Sequence, residues 1–239
     1  MPPLQRTSWS SWLCAVLLIG STTAAHAAAD KATVQEILDG DQLFIDSKKA
    51  KVKQTASTPQ VISTGDSRGQ LQFSSSAIGR INRQSLLKLG SSCFLLNKGQ
   101  ILISGRQDGC TRSNRMSVRG TNYVLEVDGE GNADIAVLEG SVVVESNDAA
   151  QAPVTVEAGQ RLKLSPTGVV LTVLKLVAGD YQSILGGPLF SGYTQPVPGF
   201  AQLESYLKLN LPGVNLPITP SVPIPTTPSV PPVSIPRFF

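Results

Sequence analysis

From Gln60 onward the chain alternates short apolar runs with turn residues. Val61-Ile62-Ser63-Thr64 is closed by Gly65-Asp66, and Gln70-Leu71-Gln72-Phe73 alternates until Ser74–Ser76 breaks it. Ile78 and Ile81 flank Gly79, while Leu86, Leu87 and Leu89 end at Gly90. Cys93-Phe94-Leu95-Leu96 stops at Asn97-Lys98-Gly99, and Gln100-Ile101-Leu102-Ile103 stops at Ser104-Gly105. Three β-branched phrases follow, Met116–Val127, Ala136–Val144 and Val154–Gln160, and then Arg161–Leu164 and Val169–Val173. Runs this short, punctuated this often, predict an all-β domain. Asp128-Gly129 is a strong hairpin signal and predicts antiparallel pairing of Tyr123–Val127 with Ala133–Leu138. The recurring glycines suit the corners of a solenoid or the hairpin turns of a sandwich, and spacing leaves both open.

Flanking segments read differently. Ala32–Phe44 is weakly amphipathic and fits a strand pair or a helical turn, and Lys51-Val52-Lys53 alternates like a strand with a solvated basic face. After Lys175 the apolar spacing becomes helical. Ala178-Gly179-Asp180 starts one helix with Tyr181, Ile184 and Leu185 on a face, stopped by Gly186-Gly187-Pro188. Phe200–Leu209 forms a second, with Phe200, Leu203, Tyr206 and Leu207 in a stripe. Both stripes are expected to pack on the β domain. Beyond Leu216, prolines at 217, 220, 223, 225, 228, 231, 232 and 236 predict a disordered or polyproline tail.

The first residues carry Arg6, a short apolar core from Trp12 to Gly20, and Ala25-His26-Ala27, the pattern of a cleavable signal peptide. An uncleaved membrane anchor is the alternative, but the apolar run is short for a bilayer. The resulting layout is a signal peptide over 1–27, a β domain over 28–176, a short helical extension over 177–215 and a Pro-rich tail over 216–239. The mature chain would be exported, periplasmic or secreted, without a transmembrane segment.

Composition then narrows the chemistry. His26 is the single histidine and leaves with the leader, removing the usual general base and the commonest metal ligand. Two cysteines remain, Cys93 and Cys110, and an oxidising compartment predicts that they pair. The net charge of +3 is too small for a general grip on nucleic acid. No nucleophile–base pair, phosphate loop or metal cluster is readable, so neither an enzyme nor a cofactor is expected. Asp128, Glu130 and Asp134 offer oxygens for a weak calcium site, against a plain solvated hairpin. Arg106, Arg112 and Arg115 form a local basic bias, opposed by Asp108, that suits an anion or a partner protein.

The central phrases carry a resemblance. Val118-Arg119-Gly120-Thr121-x-Tyr123-x-Leu125-x-Val127, then Val137-x-Glu139-Gly140-Ser141-Val142-x-Val144, then Ala158-Gly159-Gln160, resembles the signature of FecR-type periplasmic domains. Gly65-Asp66 with Leu71-x-Phe73, the Ile81-to-Leu89 run and Leu95-x-x-x-Gly99-Gln100-Ile101 resemble the earlier half, so the match spans about Val52 to Leu164. The resemblance implies an all-β fold, solenoid-like or sandwich-like, with Arg119, Gly120, Thr121, Gly140 and Gly159 as architectural residues. Best-known members are transmembrane regulators whose periplasmic part receives a signal from an outer-membrane receptor. Here a cleavable leader stands where their cytoplasmic domain and membrane span would be. The expected function is therefore that of an exported, non-enzymatic binding or scaffold protein, with an envelope protein or cell-wall polymer as partner. The alternative is an extracytoplasmic signalling component docking on an envelope membrane protein or receptor.

Overall fold

The computed structural model describes residues 31–217 of the 239-residue chain. The predicted leader and nearly all of the Pro-rich tail lie outside the described residues. The strands are β1 (Lys31–Leu38), β2 (Leu43–Ile45), β3 (Lys48–Lys49), β4 (Thr55–Ser57), β5 (Val61–Thr64), β6 (Arg68–Phe73), β7 (Ile78–Ile81), β8 (Leu86–Leu89) and β9 (Phe94–Gly105). They continue as β10 (Gly109–Cys110), β11 (Asn114–Val118), β12 (Thr121–Val127), β13 (Ala133–Glu139), β14 (Ser141–Ser146), β15 (Val154–Glu157), β16 (Gln160–Leu164) and β17 (Val170–Lys175). Two helices follow, α1 (Ala178–Leu185) and α2 (Phe200–Asn210).

Pairing resolves the choice between solenoid and sandwich into two open sheets between which the chain passes repeatedly. The first sheet runs β4-β1-β6-β7-β9-β12-β13-β16-β17, antiparallel throughout. The second runs β3-β2-β5-β8-β9-β10-β11-β14-β15, with the short β9–β10 pair parallel. Strand β9 belongs to both. The sequence predicts two strands here, separated by a turn at Asn97-Lys98-Gly99. Instead one long strand bends at Gly99, whose φ of +93° a side chain would resist, and crosses from the second sheet into the first.

The core lies between the sheets. Ile62, Leu87 and Leu96 of the second sheet meet Leu71, Ile81, Ile101, Leu125, Ile135 and Leu162 of the first. Alternation along each strand accounts for this, because a period of two sends every second side chain inward. The predicted hairpin at Asp128 forms with Tyr123 opposite Val137 and Val127 opposite Ala133. The Lys51–Lys53 strand does not form. The chain turns there, with Lys53 at φ +72° donating its N–H to the Val34 carbonyl at 2.7 Å. Two lysines around one valine cannot outweigh the need to step from β3 in one sheet to β4 in the other.

A second core covers the outer face of the first sheet. Leu102, Val124, Ala136 and Leu138 alternate with the inward set and pack against Tyr181 and Leu185 of α1, Leu203 and Leu207 of α2, and Leu189 and Phe190 between the helices. Both helices thus bury the predicted stripes on the β domain. Asp180 accepts the Val177 N–H at 2.8 Å and fixes the start of α1.

Candidate functional site

Cys93 and Cys110 are joined, with Cα atoms 5.9 Å apart, and the bridge staples the start of β9 to β10 at the centre of the second sheet. The three arginines singled out near it do not converge. Arg106 and Arg112 are exposed. Arg115 is engaged: its guanidinium forms an ion pair with Asp108 at 2.7 Å and donates to the Ser92 hydroxyl at 3.0 Å. Arg112 and Lys88 do share a surface groove of about 370 Å³ beside the disulfide.

Arg119, Gly120, Thr121, Gly140 and Gly159 sit where strands change sheet. Arg119 and Gly120 are exposed at the turn from β11 to β12. Thr121 donates its hydroxyl to the Ser141 carbonyl at 2.8 Å, locking that turn to the start of β14. Gly140, at φ +83°, has no room for a Cβ, which would lie 2.8 Å from Thr121 Oγ1. Gly159 lies under the hydroxyls of Tyr206 and Tyr181. Asp128 is occupied by its own hairpin, accepting the Glu130 and Asn132 N–H groups at 2.9 Å each and the Asn132 amide at 2.7 Å. Its carboxyl is held below the usual range, the Asn132 amide contributing most.

Sequence reasoning missed a buried arginine pair on the outer face of the first sheet. Arg80 is 1% exposed. It donates to Gln70 Oε1 at 2.8 Å and to the Leu189 and Gln195 carbonyls at 3.3 Å each, and it lies 4.1 Å from the Tyr193 ring centroid. Burial lowers its pKa to about 10, so the guanidinium stays charged at neutral pH. Arg68 is held by Asp39 at 2.5 Å and donates to the Pro188 and Ser191 carbonyls. Glu36 accepts the Thr194 hydroxyl at 2.8 Å and the Thr194 and Gln195 N–H groups. Residues 188–195 are thereby strapped across β1, β6 and β7. Arg68 and Gln70 are buried because the strap, remote in sequence, lies over them, whereas Gln72 near the end of β6 stays exposed.

Among the described residues, β17 is the longest of the four edge strands of the two sheets. Among the described residues it pairs with β16 alone, which leaves one side of its backbone without a partner there. Ladder parity is set at both ends: Ser165 N–H donates to the Val169 carbonyl, and Leu176 N–H to the Gly159 carbonyl. Thr172 and Leu174 therefore direct their backbone groups at β16, and Val173 and Lys175 direct theirs outward. Side chains are uncovered on both faces. Val173 lies opposite Leu162 and Leu174 opposite Arg161, with one extra residue, Leu171, at the bulge. Leu171 is 60% exposed, Val173 and Leu174 46% each, and the adjoining Val177 64%. The inward neighbours Leu162 and Leu164 are fully buried, so the core ends at β16 and β17 overhangs it.

Beside this edge, Asp134 forms an ion pair with Arg161 at 3.2 Å. Its carboxyl is pushed above the usual range by burial, against the pull of Arg161 and Lys163. Both residues line a cavity of about 190 Å³ closed by Ile184, Pro188 and Leu189. Among the described residues no three His, Cys, Asp or Glu side chains converge as a metal set, and no helix is long and apolar enough to cross a membrane.

No protein-family model matches this sequence, and no curated protein matches it. Among solved structures, two crystal structures of a protein assigned as an anti-sigma factor from Parabacteroides distasonis ATCC 8503 are similar, at 15% identity and a TM-score of 0.45 each. The overlap covers 62% of this chain and 73% and 72% of theirs. A likeness of that size leaves function to be argued from this chain's own geometry.

Proposed function

We propose that this chain is an exported, non-enzymatic scaffold protein of FecR type whose C-terminal sheet edge docks another protein strand. The observation behind it is β17: a six-residue strand with a free hydrogen-bonding side and exposed aliphatic side chains on both faces. Such an edge is a template for strand addition, and proteins that do not use one normally blunt it. A photo-crosslinking residue at Leu174 is expected to give protein adducts in the cell envelope, whereas one at Lys49, on the β3 edge of the second sheet, is not. Absence of adducts from both positions would sink the reading.

A second reading has its own observation. Arg112 and Lys88 flank the groove beside the disulfide, and paired cations suit a carboxylate-bearing face of an envelope membrane protein or receptor. Under it, Lys88→Glu with Arg112→Glu abolishes docking while Leu174→Asp leaves it intact. The reverse pattern returns the function to β17.

A further inference from the structure

We infer that the occupant of the β17 edge is a second copy of this chain, paired antiparallel about Val173. This rests on the docking role given to β17 above and names its partner. The outward backbone groups of Val173 set the geometry, because a two-fold axis perpendicular to the sheet must place a residue opposite itself. With Val173 opposite its own counterpart, each Val173 N–H donates to the other copy's Val173 carbonyl. Thr172 then faces Leu174, and Leu171 faces Lys175. That register is free of like-charge conflict. Lys175 is the strand's single charge, and it meets an aliphatic side chain rather than a second lysine.

Shape and area agree with a two-fold contact. The axis keeps both inner faces on the same side, so the two overhanging ledges that carry Val173 meet over the ends of the two cores. Val169, Val170, Leu171, Val173, Leu174 and Val177 are between 37% and 64% exposed. They leave on the order of 500 Å² of apolar surface per copy, a patch of the size that marks interaction sites, against roughly 800 Å² per partner in a standard interface. The nine strands of the first sheet would continue into those of the second copy.

The test is self-association of the purified full chain, followed by light scattering over a concentration series. The wild type is expected at twice the chain mass, and Val173→Asp and Val173→Lys each at the single-chain mass. Because Val173 opposes itself, mixing the two variants is expected to restore the doubled mass, a rescue that misfolding of either could not produce. A wild type that stays single-chain throughout, or a mixture that fails to associate, overturns the inference. Adduct mass at Leu174 separates this failure from failure of the docking role. A doubled-chain adduct supports both, an adduct with another protein keeps docking and overturns the dimer, and no adduct removes both.

Discussion

The two ends of the sandwich are built to opposite rules. At the N-terminal end the edge strands are β3, two residues both lysine, and β4, three residues with Ala56 turned inward and the polar Thr55 and Ser57 beside it. Lys51 and Lys53 add charge to the intervening turn. Short length and lysine are the usual means of refusing another strand. At the C-terminal end β17 is six residues long, aliphatic on both faces and charged only at Lys175. The first sheet thus ends on a three-residue strand, β4, at one edge and on a long aliphatic strand, β17, at the other. The difference teaches that exposed apolar surface on β17 is a property of that end, and not of a sheet this sequence cannot finish.

Attack on the buried side of the blunted edge gives the largest expected effect. Ala56 is fully buried, so Ala56→Asp should cost about 3–5 kcal/mol by placing a carboxylate in the core, read by urea unfolding. Association through β17 should survive in whatever fraction stays folded. If the remaining folded protein is single-chain, the two ends are coupled and the contrast fails.

The disulfide sits midway between the ends, so its loss should weaken the fold without favouring either. Cys93→Ser with Cys110→Ser opens a 17-residue separation and should cost about 3 kcal/mol in thermal or urea unfolding. A change confined to association would place the staple's role elsewhere.

Acid should separate the ends by sign. Asp39, near the N-terminal edge, is held below the usual range chiefly by its hydrogen bond from Arg68, so it stabilises above its unfolded value of about 3.9 and that contribution is lost as pH falls through its lower folded value. Asp134, near β17, is raised by burial. Its ionised form is the costly one, and that cost is relieved as pH falls through its raised folded value toward 3.9 or so. Accordingly Asp39→Asn should lose about 1–2 kcal/mol at neutral pH, and Asp134→Asn less than about 1 kcal/mol in either direction. The Asp39 variant should also show a flatter acid limb of stability against pH. Matching acid profiles for the two variants would remove the distinction.

Smallest in stability is the removal of the blunting itself. Lys48→Val with Lys49→Val changes exposed side chains, including one exposed ion pair to Asp41, and should shift stability by less than about 0.5 kcal/mol. Self-association should nonetheless rise beyond the β17 contact, seen as species larger than two chains. No change in mass would mean that length alone, and not lysine, closes that edge.

Much of this molecule was legible before its fold. The Asp128 hairpin and the helical stripes at Tyr181 and Leu203 each depend on neighbours close in sequence, and each appears where local chemistry puts it. The Cys93–Cys110 bond followed from the cysteine count and an expected oxidising compartment. Two things were not legible. One is the burial of Arg80 and Gln70, whose cover, residues 188–195, arrives from more than a hundred positions away. Val169–Val173 read as one more strand because nothing in its residues says that, among the described residues, it is the last in its sheet. Periodicity, turns and the disulfide belong to the sequence alone, since they are set by side chains a few residues apart or by solution chemistry. Which face is covered and which edge is left open is decided by long-range packing, because burial is a relation between distant segments and no single segment carries it.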